Sequence, residues 1–323
     1  WLKPFWLKEA GPARLAPPSP LALSAALPGP METLILVDVD GVLNVGVHDQ
    51  GFAPMAFSQA NLRLAMKLQG QNNALAYRIR SVAGKEVEGE NATYEKFVSE
   101  PSDLSQVLVG RLAHLIALAG GSSSIVLSSS WRKPKHAKRV QTLETCIGTH
   151  LGRPFRFDDR TSLREEGGGA MDRLEVLGDY IQAVCRNRRG SDLSLRILVL
   201  EDFCITPLTG LKCQGASISS CEAAERYLLS RAGDSPAVSV RIIHSYDKWI
   251  TDEGQTVAVG TGLTMKHFSR ALQFLDGAWE THAEKGGDGH TLHGRSRLPE
   301  SSSGVGRIKP SFMGWALKYV LSH

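Results

Sequence analysis

Asp38 and Asp40 stand at i and i+2 in "LILVDVDGVLN", residues 34–44, directly after four apolar residues. In a strand, such positions face the same side, so both carboxylates project together about 7 Å apart. Two carboxylates that close repel each other, and burying them unpaired is costly. A hard divalent cation is the natural compensator, because Mg2+ takes carboxylates and backbone carbonyls while keeping several waters. Gly41 then lets the chain turn away sharply. Chemistry-bearing residues follow two further apolar runs. After "SIVL" come Ser128, Ser129, Ser130 and Trp131; after "ILVL" come Glu201 and Asp202. Each cluster alone reads as an Asx or Ser turn. Together, an acidic pair, a hydroxyl cluster and a second acidic pair at three strand ends predict one shared rim. Open parallel sheets bind ligands at that rim, outside the carboxyl ends of their strands.

The surrounding pattern supplies elements to carry them. Residues 34–37, 124–131, 195–203 and 237–246 read as strands. Residues 103–121, 173–185, 220–233 and 263–275 read as amphipathic helices, the last capped by Thr264. Continuous apolar strands separated by helices predict an α/β fold: a Rossmann-like parallel sheet covered on both faces. Residues 45–102 break the rhythm and are too long for a loop. They predict a small inserted, cap-like element after the first strand, with "SQANLRLAMKLQ" helical and "ALAYRIRSV" alternating as a strand. The expected domain is 31–276, opening at Met31, between a disordered leader (1–30) and a disordered tail (277–323).

Composition narrows the class. Of 323 residues, 42% are hydrophobic and 22% charged, and the net charge is +4, too weak by itself to argue for nucleic acid. Five cysteines without CxxC spacing argue against a disulfide framework or a zinc site and for free thiols in a reducing, cytoplasmic setting. No apolar run is long enough to predict a membrane span.

The three motifs resemble those of the haloacid dehalogenase superfamily of phosphatases and phosphotransferases. "DVDGVLN" is similar to its first motif, "IVLSSSW" to its second and "LVLED" to its fourth. The full set, with "RLEVLGDYI" and "GLT", looks most like the subgroup found alone or fused in RNA-repair proteins. The resemblance implies a Mg2+-dependent phosphohydrolase. Asp38 would attack phosphorus and form an aspartyl phosphate, and Asp40 would act as general acid and base. A carboxylate at the second position looks like the hydrolase or transferase version of the motif, not the dehalogenase version. Asp38, the Asp40 carbonyl and Asp202 would hold the metal, with Glu201 the less favoured ligand of its pair. Ser129, with Ser128 as runner-up, would bind the transferring phosphoryl group. Arg173, with Arg164 next, would supply the cation of the third motif. The chain departs from the pattern after "ED", where "FCITPLTG" carries no further acid.

"WRKPKHAKR", residues 131–139, follows the second motif directly. Trp131 could stack on a base, and Arg132 and the lysines beyond it could meet phosphates. The bland reading is a solvated basic helix start. The candidate substrates are therefore nucleotides or nucleic-acid ends. The alternatives are a small-metabolite phosphatase or phosphotransferase, and a non-catalytic phosphate-binding module.

Overall fold

The computed structural model describes residues 31–48, 55–98, 103–163, 170–188, 193–203, 211–213, 216–218, 220–233 and 237–277. The proposed leader, nearly all of the proposed tail and Arg164 lie outside them. The chain begins with strand β1 (Met31–Val37), then the short β2 (Gly46–His48) and β3 (Met55–Ala56). Helices α1 (Gln59–Lys67) and α2 (Ala74–Ala83) and the strand pair β4 (Glu86–Val87) and β5 (Ala92–Thr93) follow. Next come α3 (Gln106–Ala119), β6 (Ser123–Leu127), α4 (Ala137–Leu151), β7 (Asp159–Arg160) and α5 (Ala170–Asn187). The order continues with β8 (Ser194–Glu201), β9 (Leu211–Cys213), β10 (Ala216–Ile218), α6 (Cys221–Ala232) and β11 (Val238–His244). Strands β12 (Tyr246–Ile250) and β13 (Thr256–Gly260) and helix α7 (Met265–Leu275) complete it.

The central sheet has five parallel strands in the order β11-β8-β1-β6-β7. Its two faces bury alternate residues of the same strands. Ile35, Val37, Ile125, Leu127, Leu198 and Leu200 join a core with α3, α4 and α7. Leu34, Leu36, Val126, Ile197 and Val199 join a second core with α5 and α6. Each fully buried Leu, Ile or Val contributes about 1.5–3 kcal/mol, which makes the register hard to slip. Val37 pairs with Leu127 on one side and Leu200 on the other. The three strands therefore end level, at Asp38, Ser128 and Glu201.

One expectation for residues 45–102 needs correction. "ALAYRIRSV" is helical: it lies in α2, with Ala76, Ile79 and Val82 buried on one face, and Asn73 Oδ1 accepts from the N–H of Ala76 at 3.0 Å. A short alternating apolar run fits either period, and its Ala, Leu and Arg residues together with the Asn cap decide for helix. The segment is also joined to a later part of the chain. β2 and β3 complete a four-stranded antiparallel sheet, ordered β12-β13-β2-β3, with a hairpin that follows the last core strand. The strand expected over 124–131 stops at Leu127 and gives way to a tight helical turn over Ser130–Arg132.

The N-terminus of α7 binds the 45–102 segment to the core. Thr264 occupies the cap position, but its Oγ1 pairs with Nδ1 of His267 at 2.9 Å. The N–H of Met265 instead donates to Glu90 Oε1 at 2.6 Å. Glu90 is buried against Arg111, 2.7 Å away, and Arg111 also donates to the carbonyl of Leu263 at 3.0 Å.

Candidate active site and metal centre

Strand parity decides which side chains meet. Asp38, Ser128 and Glu201 continue the positions that face α5 and α6. From that side Arg173 reaches down between them. One guanidinium nitrogen lies 2.5 Å from Glu201 Oε2, 3.4 Å from Ser128 Oγ and 3.8 Å from Asp38 Oδ1. The other donates to the carbonyl of Ser128. Asp202 has the opposite parity and turns beneath the loop after β1. A Cβ at Gly41 or at Gly260 would collide with its carboxylate, so both positions need glycine. Gly41 also has φ +78°, a conformation glycine adopts without strain. The turn is fixed by its carbonyl, which accepts from Ser245 Oγ at 2.8 Å and from the N–H of Gly262 at 2.9 Å.

Asp40 is held by both oxygens. Asn44 Nδ2 donates to Oδ1 at 3.2 Å, and the indole N–H of Trp131 donates to Oδ2 at 2.9 Å. Burial, followed by the charge of Asp38, pushes its carboxyl up to about 6 against these two hydrogen bonds. Burial raises Glu201 well above its ordinary value, with Arg173 opposing. Burial raises Asp202 as well, against the pull of His48, whose Nε2 lies 3.4 Å from Asp202 Oδ2.

Four carboxyl groups thus crowd around one arginine and one imidazole. Among the described residues, Asp38, Glu201 and Asp202 form a group whose ligand oxygens all lie within 4.8 Å of one another. Asp202 Oδ2 is buried with no well-formed hydrogen bond, its ion-pair contact being His48 Nε2 at 3.4 Å. An excess of buried negative charge and a carboxylate oxygen with no well-formed hydrogen bond fit a divalent cation. Oxygen donors favour a hard one.

Several expected site residues sit elsewhere or do other work. Ser128 and Ser129 are both fully buried, but the Oγ of Ser129 accepts from the N–H of Trp131 at 3.3 Å, capping the turn. The hydroxyl beside Asp38 and Arg173 is that of Ser128. Trp131 is only 3% exposed, so no base can stack on it. Arg132 is buried and binds carbonyls: Ser128 at 3.0 Å, Ser129 at 2.7 Å and Ser162 at 3.2 Å. It shapes the turn rather than meeting a substrate. Of the basic run, Lys135 and Lys138 are exposed, whereas Arg139 pairs with Asp103 at 3.2 Å. His48, Asn44 and Gly260 escaped the sequence reading. Asn44 was visible as the last residue of "DVDGVLN"; His48 and Gly260 depend on a sheet pairing that no local pattern announces.

A scan against protein-family models, a search of curated proteins and a search of solved structures each found no match. No helix among the described residues is long and apolar enough to cross a membrane. The arrangement itself offers a carboxylate, a second carboxylate two residues on, a hydroxyl and a guanidinium for anionic oxygens, and a place for a cation.

Proposed function

We propose that this protein is a Mg2+-dependent phosphohydrolase working through an aspartyl phosphate, as its resemblance to the haloacid dehalogenase superfamily implies. The observation that carries the reading is the level row of Asp38, Ser128 and Glu201 beneath Arg173, with Asp202 alongside and Asp40 two residues on. Asp38 attacks the phosphorus and takes the phosphoryl group as the ester oxygen leaves. Asp40 delivers a proton to that oxygen, then removes one from the water that cleaves the acyl phosphate. Ser128 and Arg173 steady the phosphoryl oxygens. Asp38, Asp202 and the Asp40 carbonyl would hold the metal, which would supply charge neutralisation for the phosphoryl transfer. Glu201, engaged by Arg173, orients that arginine and completes the acidic set.

The substrate is a phosphate monoester. Exposed Lys135 and Lys138, close in sequence to Trp131 on Asp40, favour nucleotides or nucleic-acid ends. The burial of Trp131 removes base stacking from that case, and a small phosphorylated metabolite is the alternative. A panel of phosphorylated metabolites, nucleotides and 3′- or 5′-phosphorylated oligonucleotides, assayed with Mg2+ and with EDTA, tests the proposal. Metal-dependent phosphate release from members of the panel is the expected result. Release unaffected by EDTA, or none from any ester, overturns it.

A further inference from the structure

Trp131 reaches across to the loop after β1 with a side-chain hydrogen bond, and its target is a carboxylate. A buried indole N–H must find an acceptor. A backbone carbonyl would satisfy it at no electrostatic consequence. Here it takes Asp40 Oδ2 at 2.9 Å, while Asn44 takes Oδ1 at 3.2 Å. Asn44 is itself oriented, since its Oδ1 accepts from the N–H of Gly41 at 2.8 Å. Each Asp40 oxygen keeps a free lone pair.

The indole is as firmly placed as its target. Its ring stacks on His136 with centroids 6.4 Å apart, and the Arg139 guanidinium lies 5.4 Å from its centroid. Arg139 is anchored by Asp103, and Arg132 fastens the turn through three carbonyls. Phenylalanine could fill most of the same volume. What only the indole provides is the N–H, a charge-assisted donor aimed at Asp40.

We propose that Trp131 is a positioning residue for Asp40: its indole N–H fixes the carboxylate in the orientation from which a proton reaches the leaving oxygen. The assignment rests on the phosphohydrolase reading and adds a residue to it. General acid catalysis matters most when the leaving group is a poor one, and a displaced acid loses rate steeply. A loss of packing alone would lower turnover of all esters alike.

Two measurements on the full chain test it. The first is kcat/KM of the parent and of Trp131→Phe on an aryl phosphate with a good leaving group and on an alkyl phosphate with a poor one. The aryl-to-alkyl ratio should rise by about tenfold or more in the variant. The second is the indole 1H–15N resonance of Trp131, one of six tryptophans and assigned by its disappearance in Trp131→Phe or by through-bond connection to the Trp131 backbone. In Asp40→Ala it should move upfield and exchange with solvent at least about tenfold faster. This arm decides the hydrogen bond even where Trp131→Phe does not fold. An unchanged aryl-to-alkyl ratio in an active, folded variant, or an indole resonance indifferent to Asp40→Ala, overturns the assignment alone. A parent that cleaves neither ester overturns the phosphohydrolase reading, and the assignment with it.

Discussion

Ser128 and Ser129 differ by one position, and that position decides which face of the sheet each continues. Sequence reasoning counted back from Trp131 and favoured Ser129. Counting forward from Val126, which faces α5 and α6, selects Ser128, because side chains alternate along a strand. The signal was present in the apolar run before the serines. Ser128→Ala should lower turnover by about a hundredfold, the usual cost of one oxyanion donor, while Ser129→Ala should cost stability through the lost turn cap and change turnover far less. Steady-state kinetics and thermal melting separate the two. The acidic residues carry a pH signature of their own. Asp40 is held at about 6 by burial and by Asp38, above its ordinary 3.8. Between those values the folded protein binds a proton that the unfolded chain does not, so stability from this group rises as pH falls through 6 toward 3.8 and is lost above 6. Glu201 and Asp202, also raised, act in the same direction. Metal-free protein should therefore gain stability from Mg2+ near neutral pH. That gain, read as a shift in Tm, should shrink by about pH 5 as protons replace the cation.

Helix α7 shows what a one-dimensional pattern omits. Thr264 occupies the expected cap, yet the capping oxygen comes from Glu90, 175 residues away. Burial works against the charge of Glu90, but Arg111, the N–H of Met265 and Lys96 outweigh it and hold the carboxyl below its ordinary value. Glu90→Ala would strand Arg111 in the interior and uncap α7, a loss of about 3–5 kcal/mol; denaturant unfolding measures it. Acid acts on the same corner. His267 is pushed down to about 4 by burial, so the unfolded chain takes up a proton before the folded one, and its stabilising contribution is lost as pH falls from 6.5 through 4. The core βα units were legible because each strand is a continuous apolar run and each helix a 3.6-residue stripe. The antiparallel sheet was not. Its strands β2 and β3 are three and two residues long, too short for any period to register, and β12–β13 carries polar residues on its exposed side. Helix α4 was read only as a basic start, although Val140, Leu143 and Ile147 are buried along it.

Across the whole molecule, the parallel sheet brings together residues that stand as far apart in sequence as Asp38 and Asp202, and the second sheet closes over the loop they share. Sequence located the acids, the hydroxyl cluster and Arg173; it could not show that Trp131 and Arg132 face inward, because burial of a turn depends on what packs over it. That inward turn also reduces the basic surface available to a polyanion. With Arg139 paired to Asp103, the exposed Lys135 and Lys138 remain to meet phosphates. If they track a single strand, replacing both by Ala should flatten the log–log salt slope of oligonucleotide binding by about 1.4, at about 0.7 per contact. A slope equal to that of the parent would turn the substrate assignment toward small metabolites. The central claim is that Asp38 takes the phosphoryl group, and the phosphorylated protein itself tests it most directly. The measurement is to mix the protein with a phosphate-labelled monoester and Mg2+, quench with acid, and locate the label by peptide mass. The account predicts label on the peptide containing Asp38, removed by hydroxylamine as an acyl phosphate requires, and absent from Asp38→Asn. Turnover of the ester by the Asp38→Asn protein, or label on a different residue of the active parent, would contradict it.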